Sequence, residues 1–547
     1  MKKRTLRIIS FLQIFILIII QFLAFKHIGY EILLFLFNTG SYYIIVILFL
    51  INLLIILNIL DLFSLIKSGE YFFSFFKPAN ELLRAILTLC VFSALLISEI
   101  IYFDLLPLKR TPEAPEKFIY TSEPFIQLSH ESGGKMKYPS ENMTIWWFSS
   151  DNKNYVFKYG KTPEEKFMSQ ADIKTNDKKR FQVDLTKLEP SQKYYYKITG
   201  LSEKIYNFKT APEENSQEEI RILSIGDMRT GRNRVFSFYN EVNSAADSVY
   251  KNSGLPSFKL NAGDIIHNGY DYYSWKFFLD IEKIHSPYIP NAISIGNHEL
   301  YNDSGANYDY LINLPRYYSF SWGMVHVIIL NSYDGIFNTA GANQYQFLKS
   351  ELEKHTGKKW IIVQQHVPII STGDYNMNKL MIAQFFELFR KYKVDLVITG
   401  HDHHFDSFLV DAEENWGGTF YIVNGGGGSK LDTTNMTRKD KKWKSWIHDR
   451  SSKNGLYQKD EITKKYHIYS ESAWGFADIK INSNGIIIDY YRWLDIEKYL
   501  TISKQNIKKW NPQPLSAEII KQEGLEKPQL IKTLKKKRTF QKNYIPN

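Results

Sequence analysis

Cysteine is nearly absent from this 547-residue chain. Cys90 stands alone, so no intramolecular disulfide can form, and any exported part must be held by its core or by bound metal. No self-similar repeat punctuates the sequence. Excess charge is also missing from most of it. The formal net charge is +11, but residues 499–547 carry eleven Lys/Arg against three Asp/Glu, a net of +8, which leaves the rest at only +3. The basicity therefore says little about the partners of the main body. A nucleotide-binding P-loop is missing too. "GGGG" at 425–428 lacks the following Lys-Ser/Thr and the strand-to-helix context.

What is present is apolar and aromatic. Hydrophobic residues make up 44% and aromatics 15% of the chain, enough for a large core, and the length allows two or three domains. Three apolar runs at 8–25, 42–60 and 85–103 are each long enough to cross a hydrocarbon layer of about 30 Å. Residues 1–110 therefore read as a membrane anchor of about three transmembrane helices. The short run 32–37 reads as interfacial or as part of a tilted second helix. Lys2, Lys3, Arg4 and Arg7 precede the first run, which places the N-terminus in the cytoplasm and everything after Phe103 outside it. This topology, with the richness in Lys, Ile and Asn, suggests a bacterial inner-membrane protein and argues against nucleic acid as a working partner.

A Pro/Glu-rich linker spans 111–122. Residues 123–212 then read as short strands separated by turns, as in a β-sandwich: "MTIWWF" (143–148), "NYVFKYG" (154–160), "FQVDLTKLEPSQKYYYKI" (181–198) and "YNFKT" (206–210). From Arg221 the pattern changes. "IRILSIGD", "FKLNAGD", "AISIGNHE", "KWIIVQQH" and "VDLVITGH" are apolar strands, each delivering Gly, Asp, Asn or His at its C-terminal end. Helical segments such as "NQYQFLKSELEKH" and "KLMIAQFFELFRKY" lie between them. This is the pattern of a layered α/β fold with its functional groups at strand ends. "GHDHHF" (400–405) alone would be weak evidence for a metal site, because clustered histidines also occur in solvated loops. Five strand ends carrying ligand-type residues make it strong.

In chain order, Gly226-Asp227, Gly263-Asp264, Gly296-Asn297-His298-Glu299, His366 and Gly400-His401-Asp402-His403 resemble the calcineurin-like metallophosphoesterase superfamily, over a domain spanning 218–495. The strands of 123–212, with "YIVNGGGG" (421–428) and "WGFADIKINSNGIIIDYY" (474–491), are similar to purple acid phosphatases and their fibronectin-type N-terminal domain. The resemblance implies a multi-domain fold: N-terminal transmembrane helices, an all-β fibronectin III-like sandwich, then a four-layer αββα metallophosphoesterase domain. It implies that Asp264 bridges two metals, that Asp227 and His403 bind the first, and that Asn297, His366 and His401 bind the second. His298 would act on the substrate as the catalytic proton donor or charge stabiliser. Arg229 and His404 are candidate substrate contacts, as are Arg232 and Asn233.

Two positions depart from the family. Many relatives have Asp-x-His where this chain has Asp227-Met228-Arg229, and arginine cannot ligate a metal. Purple acid phosphatases take a tyrosinate at the position held here by His267, so His267 is expected to fill the tyrosine's place. A tyrosinate and two aspartates with one trivalent and one divalent ion leave two positive charges. A neutral histidine and two aspartates with two divalent ions leave the same. The expected cofactor is therefore two divalent ions (Mn, Zn or Fe) and not a ferric centre. His285, His326 and His355 match no motif and are assigned to structure or surface.

The expected function is a membrane-anchored, extracytoplasmic hydrolase of phosphate monoesters acting through a metal-bound hydroxide. Phosphodiester hydrolysis at the same site, or a catalytically inactive membrane-tethered binding protein, are the alternatives. Residues 429–465 read as a charged insertion near the site mouth. Residues 499–547 read as a basic tail, either solvated or facing a polyanion.

Overall fold

The computed structural model describes residues 120–537, apart from 152, 177–178, 232–236, 302, 334–342, 374–378, 433–464 and 505–512. Among the described residues no helix is long and apolar enough to cross a membrane. The three expected spans, most of the linker, Arg232, Asn233 and nearly all of the charged insertion lie outside the described residues.

Eight short strands come first: β1 (Phe125–Gln127), β2 (Met143–Phe148), β3 (Val156–Gly160), β4 (Ser169–Ala171), β5 (Lys174–Asn176), β6 (Arg180–Leu185), β7 (Lys193–Thr199) and β8 (Tyr206–Lys209). They form two four-stranded sheets with orders β1-β2-β6-β5 and β4-β3-β7-β8, antiparallel throughout. The period of two that marks these strands is the reason. In β6, Val183 and Leu185 are buried while their neighbours Gln182 and Asp184 are only partly covered. In β7, Tyr194, Tyr196 and Ile198 are buried. Aromatic pairs fill the layer, with Trp147 stacked on Phe181 at 5.5 Å and Phe157 on Tyr196 at 5.6 Å. Backbone acceptors beyond residue 280 tie the sandwich down: Ile126 N donates to Ser286 O and the Tyr196 hydroxyl to Pro287 O, each at 2.8 Å.

The second region alternates strands and helices: β9 (Ile220–Ile225), α1 (Tyr239–Tyr250), β10 (Phe258–Asn261), α2 (Tyr272–Glu282), β11 (Asn291–Ile293), α3 (Asn297–Leu300), α4 (Ala306–Leu311), β12 (Tyr318–Trp322), β13 (Val325–Ile329), α5 (Asn343–His355), β14 (Trp360–Gln364), α6 (Lys379–Lys391), β15 (Leu396–Thr399), β16 (Phe405–Val410), β17 (Thr419–Asn424), β18 (His467–Glu471), β19 (Ala473–Asn482), β20 (Gly485–Asp495), α7 (Ile496–Ser503), α8 (Ala517–Gln522) and β21 (Gln529–Lys537). A six-stranded sheet has the order β11-β10-β9-β19-β20-β21, and a seven-stranded sheet the order β12-β13-β14-β15-β17-β16-β18.

Strand alternation sorts the apolar side chains of the seven-stranded sheet into two cores. Val327, Ile329, Ile362 and Ile398 face the six-stranded sheet and share a core with Ile222 and Leu260. Ile328, Val363 and Val397 face the other way, onto Leu348 and Leu352 of α5 and Phe385 and Phe389 of α6. The parallel strands β9, β10 and β11, and likewise β13, β14, β15 and β17, are buried on both faces, as their near-continuous apolar runs require.

The basic end corrects an expectation. It is folded as α7, α8 and β21, not a tail, as far as Lys537. β21 pairs antiparallel with β20. Leu534 and Lys536 are its buried pair. Lys536 Nζ lies 2.7 Å from Asp395 Oδ1, donates to Gly418 O, and sits over the Trp416 ring. The run of lysines hides a strand because one of them is an inward-facing cation with a buried carboxylate to meet.

Candidate metal centre

The C-terminal ends of β9, β10, β11, β14 and β15 deliver the site. Two residues past β9 comes Asp227, three past β10 Asp264, four past β11 Asn297, two past β14 His366 and two past β15 His401. Loops at the carboxyl ends of such strands are the usual ligand position of open α/β sheets. The chain bends sharply to do this. Asp227, Arg229, Asp264 and His401 have φ of 58°, 44°, 51° and 70°, a left-handed conformation that costs a non-glycine residue about 1–3 kcal/mol. Backbone hydrogen bonds hold them there: Asp227 N to Gly263 O at 3.0 Å and Arg229 N to Asp264 O at 2.8 Å. The flanking glycines permit close approach. A Cβ on Gly400 would lie 2.3 Å from Asp227 Oδ2, and one on Gly296 2.2 Å from Asp264 Oδ1. "GGGG" belongs to the same packing, since a Cβ on Gly427 would lie 2.2 Å from Gly226 O.

These bends bring together two groups of donor atoms that share one carboxylate: Asp264, His366 and His401, and Asp227, Asp264 and His403. His366 Nε2 lies 3.3 Å from Asp264 Oδ1 and 3.1 Å from His401 Nδ1. His403 Nε2 lies 3.5 Å from Asp227 Oδ1. The tautomers suit metal binding. His366 Nδ1 is 2.7 Å from Ala262 O and His403 Nδ1 is 2.8 Å from Lys430 O, so each Nδ1–H donates outward and each Nε2 lone pair faces the group. Asp227 Oδ1 is buried with no hydrogen-bond partner. A buried carboxylate oxygen left this way normally has a cation to meet. The residues present therefore fit two metal ions, with Asp264 as the shared ligand.

Burial pushes the Asp227 carboxyl well above the usual carboxylate range. Asp264 suffers the same burial, but His298, His366 and Arg229 outweigh it and hold its carboxyl well below that range. Asp264 and Asp227 outweigh burial at His366 and hold it up at about 9, so a metal ion would have to displace its Nε2 proton to use that lone pair.

The remaining expected residues fall around this centre. Asn297 opens α3. Its Oδ1 accepts from the Tyr333 hydroxyl at 3.1 Å and its Nδ2 donates to the Tyr301 hydroxyl at 2.8 Å. His298 N donates to Asp264 Oδ1 at 3.0 Å, and His298 Nε2 lies 3.7 Å from Asp264 Oδ2. His267 joins neither group. Its ring lies 5.2 Å from that of His298, and Arg229 Nη2 lies 3.5 Å from Nδ1 of both. Burial, aided by Arg229, holds His267 down at about 4 and His298 at about 3. His404 is drawn away from both groups. It is fully buried with Nε2 2.7 Å from Asp406 Oδ2, and the same carboxylate accepts from Thr372 N at 2.7 Å. That network fixes the loop after His366 against the His401–His404 loop, so the ring expected at the substrate is occupied by a structural contact.

Glu299 carries a role the motif alone did not assign. Its buried carboxylate accepts from Asp264 N at 2.9 Å, Gly296 N at 2.7 Å, Ile265 N at 2.8 Å and Ile266 N at 3.3 Å. It thereby holds the Asp264 loop onto the start of α3. A Glu three residues after the glycine that starts a helix is the capping pattern that could have flagged it. Asp432, at the start of the charged insertion, likewise accepts from His403 N at 2.9 Å.

Comparison with known proteins agrees with this geometry. Residues 220–405 match the family described as calcineurin-like phosphoesterase. Over 341 residues the chain is 25% identical to a phosphoenolpyruvate phosphatase of Allium cepa, covering 56% of this chain and 65% of that protein. Over 319 residues it is 26% identical to purple acid phosphatase 21 of Arabidopsis thaliana, covering 53% and 69%. The matches thus span about two thirds of those relatives' length. The fold is similar to that of purple acid phosphatase PPD1 from yellow lupin, with a TM-score of 0.56 at 15% identity over 76% of this chain and 74% of that one. Residues 220–405 are thus similar to calcineurin-like phosphoesterases, and purple acid phosphatases are among the proteins this chain resembles in sequence and fold.

Proposed function

We propose that the chain is a dimetal phosphoesterase acting on phosphate monoesters, held at a membrane by residues 1–110 with its catalytic domain outside the cytoplasm. The observation that carries the catalytic reading is the sharing of Asp264 by two largely buried groups of donor atoms at one rim of the two sheets. Asp227, Asp264 and His403 would hold one ion, and Asp264, His366, His401 and Asn297 the other. Two divalent cations held by these residues would neutralise an anionic ester and lower the pKa of bound water enough for attack at neutral pH.

The chain's own residues do the rest. Only two carboxylates, with neutral His and Asn, surround the ions, so the site keeps the net positive charge that an anionic substrate requires. Arg229, beside His267 and His298, offers a guanidinium to a phosphate oxygen. His298, held by Asp264 through its backbone N–H, is neutral as it stands, and a phosphate anion bound beside it would raise its pKa so that it could pass a proton to the leaving oxygen or stabilise phosphate charge. His267, set on Arg229 in place of a tyrosinate, leaves no phenolate to stabilise ferric iron, so the loaded protein should be colourless.

The test uses the full chain, stripped with chelator and refilled with Mn²⁺, Zn²⁺ or Fe²⁺, assayed on chromogenic phosphate monoesters and diesters. Turnover that favours monoesters and is abolished by His366→Ala is expected. Folded protein inactive with all three ions would overturn the reading. A visible charge-transfer band in aerobically iron-loaded protein would overturn the assignment at His267. Protease cleavage of the catalytic domain from the outer face of intact spheroplasts is expected, and cleavage only after lysis would overturn the topology.

A further inference from the structure

Among the described residues one further group of ligand-type side chains comes together outside the strand-end centre: His326, Glu351 and His355. It lies toward the opposite end of the seven-stranded sheet. His326 is the second residue of β13 and pairs in register with Ile361 near the start of β14, whereas His366 lies beyond the end of β14. Five residues of strand separate those levels, about 16 Å at about 3.3 Å per residue.

Glu351 and His355 are four residues apart on α5 and so share a helix face. That face meets β13. His326 Nε2 lies 2.9 Å from Glu351 Oε2, and His355 Nε2 lies 3.7 Å from the same oxygen. The two rings stack with centroids 3.6 Å apart. His355 Nε2 is buried with no hydrogen-bond partner, while His326 Nε2 is close enough to Glu351 Oε2 to pair with it. A simple His–Glu ion pair would still leave His355 Nε2 orphaned, and buried polar atoms are normally paired. The surroundings orient the donors. His326 Nδ1 is 2.9 Å from Ser321 Oγ, and Ser319 Oγ donates to Glu351 Oε2 at 2.7 Å. A Nδ1–H donated to Ser321 leaves the Nε2 lone pair directed at Glu351.

Two imidazoles and one carboxylate are the donor set of zinc and similar first-row ions. We propose that His326, Glu351 and His355 form a divalent transition-metal site of the zinc class, separate from the strand-end centre, that pins α5 to the β12–β13 edge. The Glu351 side chain is 17% exposed, which leaves an entry path and a position for water as fourth ligand. Entry of an ion between the two Nε2 atoms has to splay the stacked rings.

The test compares zinc content of the full chain with that of a Glu351→Gln/His355→Ala variant after dialysis against the same free Zn²⁺, with turnover measured alongside. The variant is expected to hold one equivalent less zinc at unchanged turnover. Equal zinc content would overturn the proposal. Should the variant not fold, zinc-edge anomalous diffraction from zinc-soaked wild-type crystals decides. A peak between His326 and His355 supports the site, and featureless density there overturns it. Because both readouts count ions, the outcome does not depend on whether the catalytic reading holds.

Discussion

The two histidine groups of this molecule are built in opposite ways. The strand-end centre sits on loops, with Asp227, Asp264 and His401 all at positive φ and with glycines wherever backbone must approach a carboxylate. The group of His326, Glu351 and His355 sits on β13 and α5, in regular backbone, and is assembled by helix-on-sheet packing. Strained loops are maintained where geometry at the ligand matters more than stability, because each such residue costs about 1–3 kcal/mol. Regular elements impose no such cost, and a metal held there adds stability by binding the folded chain. The difference agrees with the two proposals, chemistry at the first group and a clamp at the second.

Substitutions can break or sharpen that contrast. The largest effect belongs to the loop-borne centre. His366→Ala should lower kcat/KM of the folded fraction by about 10³-fold or more, about 4 kcal/mol of transition-state stabilisation. Steady-state kinetics beside thermal unfolding checks this, and an active variant would dissolve the contrast. Next comes a position in regular structure. Lys536→Ala leaves the Asp395 carboxylate buried without its cation and should cost about 3 kcal/mol of stability, while turnover of the folded fraction stays unchanged. Urea unfolding measures it.

Smaller still is a support of the centre. Glu299→Gln places an amide NH₂ among the four N–H groups that the carboxylate now accepts, and should weaken metal binding by about 10–100-fold. Metal titration reads this directly. The smallest effect is expected at the clamp. At tenfold excess of zinc over its Kd the wild-type chain should gain about 1.4 kcal/mol of stability that His355→Ala lacks. An identical zinc-dependent shift in the melting temperature of both would remove the clamp.

The same contrast explains what the sequence reveals. The strands ending at Ile225, Asn261, Gln364 and Thr399, and α5 over Asn343–His355, match the expected segments closely. Their apolar runs are continuous and their ends are marked by Gly-Asp, His or Gly-His. The strand-end centre is legible because a bent loop needs its glycine next to its ligand, so Gly263-Asp264 and Gly400-His401 print the site into local sequence. His326 and His355 gave no such mark. They are brought together by register and by the i,i+4 face of a helix, and only the Glu351-to-His355 spacing hinted at it. β21 was hidden for a related reason. Its lysine run reads as solvated charge until Asp395 supplies an inward partner from a distant strand. His404 was misplaced because sequence proximity to His403 does not reveal that Asp406 turns its ring into the interior.

The most direct test is a titration of the chelator-stripped full chain with Mn²⁺, monitoring bound ion and release of inorganic phosphate from an aryl phosphate together. If Asp264 joins two ions in one working centre, turnover should stay near the background with the first equivalent and appear with the second. Full turnover with one equivalent, or none after both have bound, would contradict the shared-carboxylate centre.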